Sequence, residues 1–218
     1  MEQREILSAR QAQTGGLTAT SVRARFGAYR PGMRSFDSDK VRGDHVLSPD
    51  AKLPSGLRPA AVLVPIVDRP EGLSVLLTQR HDKLTAHAGQ VSLPGGRIES
   101  TDADAVAAAL RETREEIGLP ADRIEVIGRL DTYITGTGFE IIPIVALLTP
   151  PLALMPDPRE VTEVFEVPLA LVADRANYRQ ETRELKNGVR TYFVLTHDRY
   201  IWGATAGILV NLAEVLAT

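Results

Sequence analysis

Three glutamates stand close together between positions 111 and 118 of the sequence, in the order Arg-Glu-Thr-Arg-Glu-Glu-Ile-Gly. On a helix, Glu112, Glu115 and Glu116 lie at i, i+3 and i+4, so their carboxylates project from one face. Like charges at this spacing repel each other, and a divalent cation would turn the repulsion into attraction. Hard cations such as Mg²⁺ take a few carboxylates plus substrate phosphates as ligands. The spacing therefore predicts a metal site on a helix, with a solvated acidic face as the alternative.

The neighbouring residues predict where this helix begins and ends. Ser100 or Thr101 is suited to cap its start, and Gly118 is suited to end it. Asp102 and Asp104 suit the positive end of the helix dipole, and for Asp102 we expect a cap or solvent role rather than metal ligation. A narrow apolar stripe on the opposite face is expected to dock on the core: Val106, Ala109, Leu110, Thr113 and Ile117.

Residues 95–119 resemble the Nudix box, the signature of the Nudix hydrolases, which runs from a Gly through an acidic residue to Arg-Glu-x-x-Glu-Glu-x-Gly. The common spacing puts an acidic residue at position 103, which is Ala103. Counting from Gly96 instead reaches Asp102, with one extra residue before Arg111. This longer spacer is similar to the coenzyme A pyrophosphatase branch of the family. The resemblance implies an α/β fold, the Nudix α/β/α sandwich with a mixed β-sheet, over roughly residues 58–217.

The segment before the box resembles the extra motif of that branch. Residues 76–80 read Leu-Leu-Thr-Gln-Arg, and the Pro-Gly-Gly at 94–96 matches in register. His81, Thr85 and Leu93 depart from the residues that are usual there. Thr85 matters most, because an arginine at this position could give a phosphate a bidentate charged contact that threonine cannot give.

The resemblance leaves three functions open. The first is a metal-dependent pyrophosphohydrolase that cleaves the diphosphate of coenzyme A or its derivatives into phosphopantetheine and adenosine 3′,5′-bisphosphate. The second, which Thr85 favours, is a Nudix hydrolase of another nucleoside diphosphate derivative, such as ADP-ribose, a dinucleotide or a nucleoside triphosphate. The third is a non-catalytic metabolite-binding domain, against which the complete set of glutamates argues. We expect the first.

The resemblance also implies roles for the residues of the box. Mg²⁺ or Mn²⁺ is expected on Glu112, Glu115 and Glu116, together with a backbone carbonyl of the Gly-Gly turn, here Gly96. Glu112 and Glu116 are the expected direct ligands, and Glu115 binds directly or through water. Arg111 is expected to orient the glutamates, and its spacing of four residues from Glu115 suits an ion pair.

A general base is expected from a loop outside the box. The acidic segment 157–163 offers Glu160, as base or ligand, with Glu163 as its rival. A similar Glu-Val element occurs in the coenzyme A branch. Either side chain alone is as readily a solvated loop acid.

Four further residues are candidates for substrate binding. Arg80 and Arg97 are expected to contact phosphate, although both are equally suited to structural ion pairs. Tyr133 or Phe139 is expected to stack on adenine, with an ordinary core position as the alternative. The glycines between these two aromatic residues would let the backbone approach a ligand.

The composition narrows the function further. The chain has 218 residues, of which 44% are hydrophobic and 24% charged, as in a globular protein with a proper core. A net charge of −3 argues against nonspecific attraction to nucleic acid or membranes, and the lack of cysteine excludes disulfides and thiol chemistry. No apolar run reaches transmembrane length, and residues 1–10 lack the core of a signal peptide. We therefore expect a cytoplasmic enzyme with a small nucleoside diphosphate substrate.

We expect residues 1–56 to form an N-terminal extension and residues 57–218 the Nudix hydrolase domain. The extension includes a short helix at Thr20–Phe26, and it is a flexible arm, a cover on the core or a homodimer contact. Pro143 predicts an edge, a bulge or a break in its strand. Leu169–Ala173 predicts a turn or helix, and Ala204–Leu216 predicts a closing amphipathic helix. Apolar runs predict the strands: Ala60–Val67, Leu73–Thr78, Ile124–Leu130, Phe139–Leu148, Val164–Val167, Tyr192–Thr196 and Arg199–Trp202.

Overall fold

The structure, a computed structural model, describes residues 16–31, 42–48, 55–84, 87–185 and 188–218. Thr85, on which the choice of substrate depends, lies outside the described residues. The helices are α1 (Ala19–Ala28), α2 (Asp44–Leu47), α3 (Ala105–Ile117), α4 (Leu169–Ala173) and α5 (Gly203–Ala217). The strands are β1 (Arg42–Gly43), β2 (Arg58–Arg69), β3 (Gly72–Arg80), β4 (Val91–Ser92), β5 (Gly95–Arg97), β6 (Ile124–Arg129), β7 (Tyr133–Ile134), β8 (Phe139–Leu148), β9 (Val161–Pro168), β10 (Tyr178–Leu185), β11 (Gly188–Leu195) and β12 (Ile201–Trp202).

Nine of the described strands form one mixed sheet. At its centre β2 and β8 run parallel, with Arg58 opposite Phe139 and Val67 opposite Leu148. On its other side β2 pairs with β3 and β5, and β3 in turn pairs with β9. Strands β10, β11 and β12 form a separate antiparallel sheet. Parallel neighbours need a long crossover, and the crossover from β2 to β8 contains α3, the predicted metal-binding helix.

Side chains alternate along the central strands, so each face of the main sheet has its own core. On one face, Leu63 packs with Ala108 and Ala109 of α3. On the other face, the next residue, Val64, belongs to a core that includes Leu209 of α5 together with buried residues of α1 and α4. Helices therefore cover both faces of the sheet, and the predicted α/β/α sandwich is confirmed.

Helix α1 confirms the short helix predicted near the N-terminus. Thr18 and Ser21 form a capping box at its start, each side chain bonded to the backbone of the other. Val22 and Phe26 are buried in the core that α5 shares. The described part of the N-terminal segment therefore covers one face of the sandwich.

The predicted strands are all present, all but Phe139–Leu148 with shifted ends, and the break or bulge that Pro143 predicts is not in its own strand. Strand β8 runs through Pro143 without a break, and the interruption lies in its neighbours, because β6 ends at Arg129 and β7 begins at Tyr133. The carbonyl of Pro143 accepts a hydrogen bond from the Leu130 amide in this gap, at 2.9 Å. The N–H that proline lacks also faces the gap, so no ladder bond is lost.

The last helix is not amphipathic as predicted. In α5 every residue from Ala206 to Ala213 is buried, and so are Val215 and Leu216. Strand β11, which pairs with the unpredicted β10, and helix α4 both pack on α5. Within the ranges that the structure describes, neither α5 nor another helix is long and apolar enough to cross a membrane.

Candidate active site

Helix α3 begins and ends through side-chain and backbone caps. The side chain of Asp104 accepts a hydrogen bond from the Ala107 amide at 2.8 Å, so Asp104 is the N-cap and the predicted caps Ser100 and Thr101 are wrong. At the other end Gly118 has φ of 72°, in the left-handed region that glycine tolerates, and its amide donates to the carbonyl of Arg114. The helix therefore carries the predicted three glutamates in its last two turns.

A turn of two glycines brings the backbone against these glutamates. Gly95 has φ of 151°, and a side chain there would strike the backbone of Val62 in β2. A side chain on Gly96 would occupy the position of the Glu112 carboxylate. The two glycines are thus needed so that β5 can lie on β2 while the Glu112 carboxylate touches the turn.

Glu116 is the most buried carboxylate of the site, with 3% of the residue exposed. Its Oε2 accepts a hydrogen bond from the Gly95 amide at 3.1 Å, and its Oε1 lies 3.5 Å from Nη1 of Arg80. Burial raises the pKa of Glu116 to about 7 against both of these contacts, and the charges of Glu112 and Glu160 raise this pKa further. At neutral pH this carboxyl therefore gives up its proton much less readily than an ordinary glutamate.

Arg111 connects the glutamates to the start of the box, as predicted for a residue that orients them. Its Nη1 donates to Glu112 at 2.9 Å and to Glu115 at 3.2 Å. Its Nε and Nη2 donate to the two oxygens of Asp102, and Nη2 also donates to the carbonyl of Arg97. The contact with Arg111 lowers the pKa of Asp102 and raises that of Arg111. Arg111 is thus held from both sides.

The expected cap or solvent role of Asp102 is therefore wrong. Its carboxylate is nearly buried and is taken up by Arg111 and by the Glu99 amide, which donates at 2.8 Å. Asp102 lies nine residues before Arg111 and outside the helix, so helical periodicity could not relate the two residues. The signal that could have predicted this contact is the acidic position of the box, which the longer spacer shifts to Asp102 here.

The oxygen-rich set on the turn fits a hard divalent cation. Burial is the main cause that raises the pKa of Glu112, and the charges of Glu115 and Glu160 add to it, so negative charge is crowded beside Glu116. Carboxylate and carbonyl oxygens are the ligands that Mg²⁺ prefers. Among the described residues, however, no three acidic or histidine side chains converge as they would around an ion. Each of the three glutamates is paired with an arginine instead.

The structure separates the two candidate bases. Glu160 is exposed just before β9, and its amide donates to the carbonyl of Asp157, whose own amide donates to the carbonyl of Glu116 at 2.9 Å. Its charge raises the pKa of both Glu112 and Glu116, so Glu160 lies near them. Glu163 instead forms a two-point ion pair with Arg199, at 2.5 and 2.8 Å. The structure therefore brings Glu160, and not Glu163, together with the glutamates of α3.

Two of the four predicted substrate contacts occupy other positions. Arg80 faces Glu116, and its Nε is buried without a hydrogen-bond partner among the described residues, so its position matches the ion pair that was the alternative. Tyr133 is 3% exposed, its hydroxyl donates to Asp44 at 2.7 Å, and its ring packs against Gly207 of α5. Tyr133 is thus a core residue, and the prediction that it stacks on adenine does not agree with this position.

Arg97, the last residue of β5, and Phe139, the first residue of β8, lie at the same end of the central strands. The guanidinium of Arg97 is 5.8 Å from the centre of the Phe139 ring. A third residue, Arg58, stacks on the same ring at 3.9 Å. Sequence patterns gave no signal for Arg58, because it meets Phe139 only through the pairing of β2 with β8.

Comparison with known proteins agrees with this architecture. The NUDIX domain family matches residues 57–187 of the chain. The protein of Klebsiella pneumoniae subsp. pneumoniae named "Uncharacterized Nudix hydrolase NudL" is 43% identical over 157 residues, which cover 72% of this chain and 81% of that protein. The protein of the same name from Salmonella paratyphi B is 40% identical over 186 residues, 82% of this chain and 96% of that protein.

Among solved structures, the Nudix hydrolase RenU of M. smegmatis shares 28% sequence identity, with a TM-score of 0.43 over 54% of this chain and 74% of that one. This similarity adds nothing to the family assignment at such a TM-score. The family match covers more than half of the chain, and the two NudL proteins align with most of it. The chain therefore belongs to the Nudix family.

Proposed function

We propose that this Nudix protein is a metal-dependent pyrophosphohydrolase that cleaves the diphosphate of coenzyme A or its derivatives into phosphopantetheine and adenosine 3′,5′-bisphosphate. One observation carries the proposal: the motif of residues 76–96, which resembles the coenzyme A branch, ends on the turn where the carboxylates of Glu112 and Glu116 lie. The substrate-recognition motif and the acidic helix are thus adjacent in space as well as in sequence.

The cation would be held by Glu112, Glu115 and Glu116 together with the carbonyl of Gly96. When bound, Mg²⁺ or Mn²⁺ neutralises charge on the diphosphate oxygens and lowers the pKa of a bound water. The chain prepares this site through Arg111, which fixes the orientation of two of the three carboxylates. Because Glu116 has a raised pKa, it must give up its proton for a cation to bind, so binding should strengthen as the pH rises.

Glu160 is our proposed general base. It is exposed at the rim of the acidic group and close enough to influence the ionisation of Glu112 and Glu116. In this position its carboxylate would accept the proton of the attacking water and orient that water toward the phosphorus. Glu163 is less suited to this role, since Arg199 holds both of its oxygens.

A second candidate function is hydrolysis of another nucleoside diphosphate derivative, such as ADP-ribose, a dinucleotide or a nucleoside triphosphate. The observation that favours it is Thr85, which replaces the arginine usual in the coenzyme A motif and so removes one charged phosphate contact. A non-catalytic binding domain is a weaker candidate, because a domain that only binds a metabolite has no need of Glu112, Glu115 and Glu116 together.

A substrate panel tests the proposal. Coenzyme A, dephospho-coenzyme A, ADP-ribose and a nucleoside triphosphate are assayed with Mg²⁺ and with Mn²⁺, and the products are identified. We expect the highest kcat/KM for coenzyme A or an acyl derivative, and a lower KM for coenzyme A after Thr85→Arg. If dephospho-coenzyme A or ADP-ribose has the higher kcat/KM and Thr85→Arg leaves that order unchanged, the second candidate replaces the first. If no diphosphate is hydrolysed, the non-catalytic binding domain becomes the remaining candidate.

A further inference from the structure

A cluster of two arginines on one aromatic ring stands next to the proposed site. The guanidinium of Arg58 lies 3.9 Å from the centre of the Phe139 ring, and that of Arg97 lies 5.8 Å from it. Phe139 is the first residue of β8, Arg58 the first residue of β2, and Arg97 the last residue of β5. The cluster thus lies at one end of three neighbouring strands.

In the described part of the chain, neither arginine of this cluster has an acidic partner. Within the described ranges, no carboxylate forms an ion pair with Arg58 or Arg97. One guanidinium is enough for a favourable cation–π contact, and a second one near the same ring is repelled by the first. Two planar cations that contact one ring, with no acid paired to either in the described part of the chain, can each offer a phosphate a bidentate contact.

The loop before β8 fixes Arg58 in place. The carbonyl of Thr137 accepts a hydrogen bond from Nη2 of Arg58 at 2.8 Å. The loop is itself closed by the amide of Phe139, which donates to Oγ1 of Thr135 at 2.9 Å, and it is anchored by Asp44, which accepts from the Gly136 amide at 2.7 Å. Arg58 is therefore preorganised before a ligand arrives, which reduces the entropic cost of binding.

The cluster lies on the opposite face of the sheet from α3, yet it shares the glycine turn. Arg97 pairs with Ala60, and Arg58 lies two residues earlier on β2, so both side chains project from the same face. Gly96 points the other way, toward Glu112. A substrate that binds at this end of the strands could therefore place its diphosphate at the glycine turn beside α3 and a second phosphate on the arginine cluster.

We propose that Arg58 and Arg97 form a phosphate-binding subsite of this enzyme, with the Phe139 ring as its floor. The inference rests on the proposed hydrolase function and extends it, because Arg58 becomes a residue that determines specificity for a phosphate group of the substrate. Coenzyme A offers two sources of that chemistry, the 3′-phosphate and the diphosphate itself. Two cations with no acidic partner among the described residues suit a phosphate dianion such as the 3′-phosphate, and the two sources can be told apart with matched nucleotides.

The test is a binding measurement on the metal-free protein, in which turnover plays no part. Adenosine 3′,5′-bisphosphate and adenosine 5′-monophosphate, which differ by the 3′-phosphate, are titrated by calorimetry into the parent, Arg58→Met and Arg58→Lys. We expect Arg58→Met to weaken binding of the bisphosphate about tenfold or more, since a charged hydrogen bond is lost, and to affect the monophosphate much less. Arg58→Lys, which keeps the charge but not the planar fork, should fall between the two.

A matched control is Arg123→Met, which removes the same charge before β6, at the opposite end of β8 from Phe139. It should leave both affinities unchanged. Thermal unfolding of each variant shows whether it is folded, and Arg58→Lys keeps the test valid if Arg58→Met is not.

The outcomes decide both the subsite and its ligand. Equal weakening for both nucleotides supports the subsite but assigns it to the phosphate on the 5′ side, which becomes part of the diphosphate in the substrate. Unchanged affinity of folded Arg58→Met for both nucleotides, or no binding of either nucleotide to the parent, overturns the proposal. Failure of the proposed function is a separate result, since it would appear in the substrate panel as turnover of another diphosphate or none.

Discussion

Helices α3 and α5 cover opposite faces of the same sheet, and each buries a polar side chain. In α5, Asn211 is 2% exposed, and its Oδ1 accepts a hydrogen bond from the Asp131 amide at 2.9 Å. In α3, Glu116 is 3% exposed, with one backbone hydrogen bond and an arginine 3.5 Å away. The neutral amide is satisfied where it lies, whereas the pKa of the carboxylate is raised to about 7.

The difference separates a buried polar group that stabilises the fold from one whose burial is unfavourable unless a cation binds. A buried amide with a partner contributes to stability at modest cost. A buried carboxylate among other acids is unfavourable unless something else supplies positive charge. The face of the sheet under α5 is thus built for packing, and the face under α3 keeps a destabilising group that a cation would make favourable.

The largest expected effect is the loss of kcat when a glutamate of α3 is replaced. Glu116→Gln should lower kcat at least about 100-fold, because a cation supplies several kcal/mol of transition-state stabilisation. The measurement is steady-state hydrolysis of the best substrate in Mg²⁺ or Mn²⁺. Asn211→Leu is the control on the α5 face and should keep kcat near the parental value. Parental turnover by Glu116→Gln would refute the assignment of the metal site.

The two acids at the start of β9 sharpen the comparison, because Glu160 lies near the glutamates of α3 whereas Glu163 is paired with Arg199. Glu160→Gln should lower kcat about 100-fold, as expected for loss of a general base, while metal affinity changes little. The acidic limb of the pH–rate profile should also flatten. Glu163→Gln, which only breaks the ion pair with Arg199, is the matched control. If Glu163→Gln shows the loss and Glu160→Gln does not, the two roles are reversed.

Stability should respond to pH through Glu116. Its pKa is about 7 in the folded protein and about 4.3 in an unfolded chain, so the folded state binds the proton more tightly. This contribution to stability is present below about pH 4 and is lost as the pH rises through 7. Between pH 5 and pH 8, metal-free Glu116→Gln should therefore gain about 2 kcal/mol in unfolding free energy relative to the parent.

Denaturant unfolding of both metal-free proteins at the two pH values measures this gain, and added Mg²⁺ should favour the parent. An equal dependence on pH in both proteins would mean that Glu116 is not the destabilising group.

The smallest expected effect is on the α5 face. Asn211→Leu keeps the volume but removes the acceptor of the Asp131 amide, so unfolding free energy should fall by about 1–2 kcal/mol at any pH. The same denaturant experiment measures it at pH 5 and pH 8. A loss that appears only at one pH would show that Asn211 is coupled to a titrating neighbour such as Asp131 and would break the contrast between the two helices.

The sequence predicted the parts of the site that depend on local spacing. Glu112, Glu115 and Glu116 share a face because helical periodicity places them there, and the pairing of Arg111 with Glu115 follows from the same rule. The sandwich was predicted through the resemblance to the Nudix box, and the strand Phe139–Leu148 agrees at both ends. Local patterns and a strong motif were enough for these features.

Contacts between distant segments were beyond such rules. Arg58 meets Phe139 through strand pairing, and Asp102 folds back onto Arg111 from outside the helix. Tyr133 was assigned to the substrate because it flanks a glycine-rich loop, but α5 buries its ring. The amphipathic prediction for α5 failed for the same reason, since a helix covered on both sides needs no polar face.

The parallel pairing of β2 with β8 has a consequence for the order in which the protein is made. The paired residues lie roughly eighty positions apart in the chain, and contacts of such separation close slowly. The whole box lies between them, with β5 resting on β2 and α3 packed partly on β8. On the ribosome, α3 is therefore synthesised well before the sheet that buries it is complete. The burial that raises the pKa of Glu116 therefore arises late, so the proposed cation site is completed near the end of folding.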